Sequence, residues 1–156
     1  MNKRLKLYID TSVWNFVFES ERENSRITND FLNLSSKHNY LLVISNLVIS
    51  EVSRANEIRR KELSSLIEKH KPLLIYTTEE ATSLANLYLR ENLVPEKFKD
   101  DAIHIATATV NHCDFVVSWN FKHIVKASTI KGVHSINFKE GYGMVEIVSP
   151  NQFLGK

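Results

Sequence analysis

The sequence predicts an α/β protein in which helices cover both faces of a central, mainly parallel sheet of about five strands. Short apolar segments rich in β-branched and aromatic residues alternate with longer segments whose apolar residues recur every three or four positions. Strands separated by helices connect through right-handed crossovers, which make neighbouring strands parallel and give a three-layer α/β/α sandwich. With 156 residues, of which 43% are hydrophobic and 24% charged, we expect one domain over residues 1–156.

Each predicted strand is a short apolar run that ends where a turn or a helix cap is favoured. The first covers residues 5–9 and stops at Asp10. The others are predicted at residues 40–44, 73–76, 115–118 and 144–148. Pro72 separates the third strand from the helix before it, and Asn120 follows the fourth.

The helices are predicted from apolar stripes and from capping residues. Thr11 or Ser12 is expected to cap the first helix, which leaves the carboxylate of Asp10 free at the end of a strand. Further helices are predicted at residues 27–36, 47–55, 56–70, 77–91 and 99–112, with a helical turn at 121–126. The helix over residues 56–70 is expected to bury Ile58, and Lys131 with Gly132 is typical of a loop.

The overall composition limits the kind of protein. A single cysteine, Cys113, excludes an internal disulfide and indicates a reducing, cytoplasmic environment. No apolar run approaches the length of a membrane span, and the N-terminal apolar run is too short for a signal peptide, so no membrane partner is expected. The net charge of +2 does not identify a nucleic-acid binder, but the clustering of basic residues is compatible with a polyanionic partner or with solvated faces.

Acidic and amide side chains stand where the predicted strands end. Asp10 ends the first strand and Asn120 follows the fourth, while Asp101 begins the helix that leads into the fourth. Glu51 lies on the helix after the second strand. Because the carboxyl ends of parallel strands meet at one edge of a sheet, these four side chains are expected to share a cleft.

Three unpaired carboxylates in one cleft would repel each other, and a divalent cation would relieve that repulsion. Carboxylate oxygens suit Mg²⁺ or Mn²⁺, and the lack of a cysteine or histidine cluster argues against zinc. Such sites commonly carry phosphoryl chemistry, in which a cation activates water and stabilises charge on oxygen. The alternative is that Asp101 and its neighbour Asp100 only complement a helix dipole, and that Glu51 pairs with Arg54.

Several neighbouring side chains are candidates for substrate contacts. Thr11 and Ser12 are expected to donate hydrogen bonds to Asp10 or to a phosphate, and Lys122 with His123 is expected to contact phosphate. His104 lies three residues after Asp101 on the same helix face, and it fits either a catalytic base or, more simply, a packed and hydrogen-bonded histidine.

Four ordered motifs, taken together, resemble the PIN domain, and the bacterial VapC-type toxin ribonucleases in particular. These are Tyr8-Ile9-Asp10-Thr11-Ser12, Ser50-Glu51-Val52, the stretch from Asp101 to Ala106, and the stretch from Val117 to His123. The resemblance covers residues 5–150 and implies a Rossmann-like α/β/α sandwich with metal-dependent endoribonuclease activity. It implies that Asp10, Glu51 and Asp101 hold Mg²⁺ or Mn²⁺ for the hydrolysis of RNA.

Asn120 stands where many members of that family have a fourth acid, so it would orient water or hold a weaker second cation. The resemblance also implies a cognate antitoxin, as in type II toxin–antitoxin pairs, and a homodimer. One alternative is a catalytically weak or inactive module of the same fold that binds RNA or a protein. A phosphatase of the haloacid dehalogenase kind is disfavoured, because it needs an aspartate at the position of Ser12.

Overall fold

One sheet of five parallel strands is built around the first strand of the chain. The computed structural model describes residues 3–20 and 22–155. The strands are β1 (Lys6–Ile9), β2 (Leu41–Ser45), β3 (Leu73–Ile75), β4 (Phe115–Val117) and β5 (Glu146–Val148), in the spatial order β3-β2-β1-β4-β5. Tyr8 of β1 lies opposite Val43 on one side and Val116 on the other. The predicted parallel sheet is therefore confirmed.

Helices connect the strands in the alternation that the sequence predicts. They are α1 (Thr11–Phe16), α2 (Arg22–Lys37), α3 (Asn46–Ser53), α4 (Glu57–His70), α5 (Glu79–Arg90), α6 (Lys99–Val110) and α7 (Ala127–Lys139). Short 3₁₀ turns cover Glu96–Phe98 and Pro150–Phe153. Among the described residues, none of these helices has both the length and the apolar character that crossing a bilayer requires.

The core lies on both sides of β1, whose last three residues are fully buried. Its largest buried side chains include Tyr8, Trp14, Phe31 and Tyr88. Trp119 is also buried, and its indole Nε1 donates to Thr28 Oγ1 over 2.8 Å. Cys113 is buried, and burial raises the pKa of its thiol to about 12, which fits a structural rather than a reactive cysteine.

Hydroxyl side chains cap two of the helices, but the first helix is not capped as the sequence predicts. Ser45 caps α3 by accepting from Leu47 N, and Thr78 caps α5 by accepting from Ala81 N. The expectation that Thr11 or Ser12 caps α1 is wrong, because Thr11 is already the first helical residue and Asp10 occupies the capping position. The carboxylate of Asp10 makes no capping hydrogen bond and is turned to other partners.

Two other expectations fail because packing outweighs local pattern. Ile58 is 76% exposed, so it lies on the outer face of α4 and not in the core. The stretch with Lys131 and Gly132 belongs to α7 and is not a loop. A Cβ atom at Gly132 would stand 2.2 Å from Leu93 Cδ2, so the glycine permits α7 to approach the chain after α5 closely. At the position of the predicted helical turn, residues 121–124 form a turn in which Ile124 N donates to Asn120 O over 3.1 Å.

Candidate functional site

The four side chains expected at one cleft come from four different segments around the carboxyl ends of the central strands. Asp10 directly follows β1, and Asn120 lies three residues after β4, the neighbour of β1 in the sheet. Glu51 is on α3, which begins directly after β2, and Asp101 is in the first turn of α6. The parallel topology is what brings them to one edge.

Asp10 is buried and is oriented by two serine hydroxyls. Ser12 Oγ and Ser118 Oγ each donate to Asp10 Oδ2 over 2.7 Å. Asp10 N donates to Val117 O over 3.1 Å, which ties the end of β1 to the end of β4. A carboxylate that accepts two hydroxyl donors at one oxygen is held in one orientation, and its second oxygen, Oδ1, faces His104.

Glu51 is also held at one oxygen. Thr11 Oγ1 donates to Glu51 Oε1 over 2.7 Å, and His104 Nε2 lies 2.7 Å from the same oxygen. Burial opposes ionisation of Glu51, but the hydrogen bond and charge of His104, with the Thr11 hydroxyl, outweigh burial and lower the pKa of the carboxyl. The carboxylate of Glu51 is therefore ionised at neutral pH.

His104 joins two of the acids, because its Nε2 atom is also 3.5 Å from Asp10 Oδ1. Nε2 must carry the proton, since an ionised carboxylate can only accept a hydrogen bond. Burial disfavours the charged ring, but the hydrogen bond to Glu51 and the charges of Asp10, Glu51 and Asp101 raise the pKa of His104. His104 is thus a packed, hydrogen-bonded histidine, and it balances negative charge inside the cluster.

The far side of the imidazole is fixed by Tyr8. The hydroxyl of Tyr8 lies 2.6 Å from His104 Nδ1 and 2.7 Å from Ser45 Oγ, and all three side chains are buried. Burial raises the pKa of Tyr8 well above its ordinary value, so the hydroxyl keeps its proton. No local sequence pattern marks Tyr8 or Ser45 for this role, because a tyrosine inside a strand and a serine at a helix cap are ordinary features.

Asp101 lies close enough to the other acids for their negative charges to raise its pKa. Burial, and next the negative charge of Asp10, raise the pKa of Asp101 to about 6, and the charge of Glu51 adds to this. Asn120 Nδ2 donates to Asp101 Oδ2 over 3.2 Å. This repulsion between carboxylates is the property that a bound cation would relieve.

Asn120 links Asp101 to the loop after β4. Its backbone N donates to Ser118 Oγ over 2.9 Å, and its side-chain Oδ1 accepts from His123 N over 2.9 Å. The same serine hydroxyl donates to Asp10, so Asp10, Ser118, Asn120 and Asp101 form one continuous chain of hydrogen bonds. Ser118 is a further residue of the site, and no local sequence pattern marks it for this role.

The donor set fits a hard divalent cation, although the acids do not form a closed cage in this arrangement. Within the described residues, no three aspartate, glutamate, histidine or cysteine side chains lie close enough together for a ready-made metal site. The second oxygens of Glu51 and Asp101 accept no hydrogen bond from any residue that the structure describes. Asp10, Glu51 and Asp101 carry carboxylate oxygens, which are the ligands that Mg²⁺ or Mn²⁺ prefers, and their role as ligands stays a prediction.

The side chains expected to contact substrate have different surroundings. The hydroxyl of Thr11 donates a hydrogen bond to Glu51, and the hydroxyl of Ser12 donates one to Asp10. Ser12 Oγ also accepts from Trp119 N over 2.9 Å. Lys122 is exposed beside the site. His123 is buried, and burial, followed by the charges of Lys122 and Lys126, lowers the pKa of its ring. A contact between His123 and phosphate stays a prediction.

A comparison with known protein families identifies the family of this chain. Residues 7–123 match the family model described as PIN domain, which is most of the chain and includes all four residues of the cleft. The chain belongs to the PIN domain family. The four motifs and the five-stranded parallel sheet are thereby explained as features of that family's fold, as the sequence predicts.

Solved structures support the same fold for this PIN domain. VapBC2 from Rickettsia felis, bound to a DNA fragment from its promoter, has a TM-score of 0.58 and 16% identity over 76% of this chain and 90% of that chain. The toxin VapC20 from Mycobacterium tuberculosis, which cleaves the sarcin–ricin loop, has a TM-score of 0.57 and 13% identity over 75% and 92%. DNA-bound VapBC from Salmonella typhimurium has a TM-score of 0.55 and 15% identity over 94% and 98%. A search of the curated proteins found no significant match.

Proposed function

We propose that the protein is a metal-dependent endoribonuclease in which Asp10, Glu51 and Asp101 hold Mg²⁺ or Mn²⁺. One observation carries the proposal: in a PIN domain, the three carboxylates meet at one edge of the sheet, each with one oxygen oriented by the protein. A divalent cation bound there would polarise water and neutralise charge on a phosphodiester. Hydrolysis would then add water to phosphorus and break one P–O ester bond.

The residues around the acids would set their orientation during that reaction. Ser12 and Ser118 hold Asp10, Thr11 and His104 hold Glu51, and Asn120 holds Asp101. Ligand groups that are fixed in this way lose little entropy when a cation binds. Lys122 would contact a phosphate of the substrate backbone without reading its sequence.

We also propose that this nuclease is the toxin of a type II toxin–antitoxin pair and acts in the cytoplasm with a cognate antitoxin. The support is the likeness in fold to solved structures described as VapBC and VapC, of which one is described as cleaving the sarcin–ricin loop. A homodimer belongs to the same proposal. Growth arrest in a bacterial host that expresses the parent, but not Asp10→Asn, would support the toxin assignment, and equal growth would reject it.

One observation favours a second candidate, a binding module without catalytic activity. Asn120 brings no charge to the position where many family members have an acid, and its amide nitrogen donates to Asp101. An amide in that orientation links the loop to the acid, and it would give a second cation no charged ligand.

RNA cleavage separates the two candidates. Purified protein with Mn²⁺ should cut a mixed RNA substrate, and excess chelator should stop the reaction. Asp10→Asn should lower the rate by at least about 100-fold, because it removes a charged ligand without changing side-chain shape. Asp30→Asn is the matched control, since Asp30 is an exposed acid on α2 that pairs with Arg26. Cleavage that survives chelation, or is equal in parent and Asp10→Asn, would reject the nuclease.

A further inference from the structure

A cavity of about 200 Å³ lies at the amino ends of the strands, at the edge of the sheet opposite to the acidic cleft. Its lining comes from the segments that lead into three strands and includes Arg4 before β1, Asn39 and Tyr40 before β2, and His70 and Lys71 before β3. Pockets for drug-sized ligands measure roughly 300–1,000 Å³, so this cavity suits a smaller molecule or an ion. We call it the amino-end cavity.

The amino-end cavity is positively charged. Among the described residues that line it, none is acidic, while Arg4 and Lys71 are cationic. Neither of these two takes part in the ion pairs that the described residues form. Arg4 Nε donates to Asn39 O over 3.2 Å and Arg4 Nη2 donates to Tyr40 O over 3.3 Å, which fixes the guanidinium. The Nη1 group makes neither bond and can donate to a ligand.

The ends of two helices beside the cavity do not cancel its positive charge. Each carboxyl-terminal helix end carries roughly half a negative charge, so α2 and α4 together bring about one. Arg4, Lys69 and Lys71 outweigh that charge. The charge of Lys69 reaches the lining, because it is the second cause, after burial, that lowers the pKa of His70. Glu68, the acid next to Lys69 in the chain, lines a different cavity against α3.

Lys71 has a backbone conformation that favours glycine. It follows the last residue of α4 with a φ of 47° and a ψ of 55°, which is the left-handed region. A Cβ atom is unfavourable in this region, and glycine is the usual residue there at the end of a helix. The lysine at this position therefore has a conformational cost, which an anion bound to its ammonium group would offset.

We propose that the amino-end cavity binds a small anion that carries a phosphate group. Arg4 and Lys71 supply its positive charge through charge-assisted hydrogen bonds, which are roughly twice as strong as neutral ones. Amide, hydroxyl and imidazole side chains complete the lining with further donors. A phosphate suits donors on several sides better than a carboxylate does, because it has more oxygens to accept their hydrogen bonds. This site is separate from the acidic cleft and does not rest on the proposed ribonuclease function.

Isothermal titration with inorganic phosphate tests the cavity directly. Excess chelator removes any metal from the acidic cleft, and potassium chloride keeps the ionic strength constant. The parent should bind one phosphate per chain with a Kd of about 1 mM or tighter. Arg4→Met and Lys71→Met should each weaken binding by at least about 10-fold, as expected for the loss of one charge-assisted hydrogen bond. The matched control is Lys139→Met, since Lys139 is an exposed lysine in the last turn of α7 and should leave the affinity unchanged.

Three results would overturn the proposal. They are a parent that binds no phosphate at about 10 mM, equal affinity in the parent and both cavity variants, and an equal loss of affinity in Lys139→Met. The last would mean that phosphate responds only to net charge. Circular dichroism shows whether each variant keeps the fold. Lys71→Gly removes the same ammonium group and suits the left-handed backbone, so it should fold and should also bind phosphate at least about 10-fold more weakly.

A titration with ribose 5-phosphate distinguishes the two sources of the phosphate group. Tighter binding than that of inorganic phosphate, again weakened in Lys71→Met, would uphold the proposal with a small phosphate ester as the ligand. Equal or weaker binding would uphold it with the free ion.

Discussion

The imidazole Nε2 of His104 lies 2.7 Å from Glu51 Oε1 and joins α6 to α3 at the centre of the acidic cleft. The same nitrogen is 3.5 Å from Asp10 Oδ1, so one ring links acids from two different parts of the chain. Its position depends on Tyr8, whose hydroxyl contacts Nδ1 over 2.6 Å. The orientation of the acids is therefore set from within the core.

Replacement of Tyr8 by phenylalanine tests that dependence. Tyr8→Phe removes one buried hydroxyl and leaves His104 Nδ1 without its 2.6 Å partner. The free energy of unfolding should therefore fall by about 1 to 3 kcal/mol. In a chain of this size the melting temperature falls by roughly 2–4 °C per kcal/mol. Urea denaturation measures the change. Tyr76→Phe, at an exposed tyrosine, should leave stability unchanged. Equal stability of the parent and Tyr8→Phe would contradict the described network.

Ser118 tests whether the hydroxyls around Asp10 matter for cation binding. Ser118→Ala removes the 2.7 Å bond to Asp10 Oδ2 and should weaken Mn²⁺ binding by about 10- to 100-fold, as is usual for groups that orient a metal ligand. Isothermal titration with Mn²⁺ gives the affinity. Ser35→Ala is the control, because Ser35 is equally buried but donates only to Phe31 O within α2. An unchanged affinity in Ser118→Ala would show that Asp10 needs no such support.

Asp101 gives a prediction about pH in the metal-free protein. Its pKa is raised in the folded protein to about 6, above the value of about 3.9 for an unfolded chain. The stabilising effect of the protonated carboxyl is thus complete below about pH 4 and is lost as pH rises through 6. Asp101→Asn keeps a neutral side chain at every pH.

The stability of Asp101→Asn relative to the parent should therefore increase between pH 4.5 and pH 7.5. We expect an increase of about 1 to 2 kcal/mol, after allowing for the partial exposure of the carboxyl. Urea denaturation with chelator at both pH values measures it. If the difference in the free energy of unfolding between the two proteins stays constant, or decreases with pH, the pKa of Asp101 is not raised in the folded protein. With excess Mn²⁺ at pH 7.5, the parent should instead be more stable than Asp101→Asn, because only the parent keeps all three charged ligands.

Local pattern predicts most of this fold because each strand ends at a residue with a local reason to end it. Asp10 after β1 and Ser45 before α3 are examples, and their positions follow from a few neighbouring residues. The sequence predicts a loop at Lys131 and Gly132, inside α7, because glycine disfavours a helix interior by about 1 kcal/mol relative to alanine. The close approach of Leu93 explains that glycine, and Leu93 is far away in the sequence.

The candidate site is also predicted by local sequence only in part. The acids stand at strand and helix ends, so the parallel topology predicts their meeting, while their roles as ligands stay predictions. The network of Tyr8, Ser45 and His104 joins residues 37 and 96 positions apart, and no local pattern marks such a contact. The sequence predicts Thr11 or Ser12 as the cap of α1, but Asp10 occupies that position and Ser12 donates to its carboxylate.

Anomalous diffraction from crystals soaked in Mn²⁺ shows where a cation binds. We expect a peak at the carboxyl ends of β1 and β4, within about 2.5 Å of carboxylate oxygens from at least two of Asp10, Glu51 and Asp101. A peak bound elsewhere, or none at this edge at saturating Mn²⁺, would show that these carboxylates hold no cation.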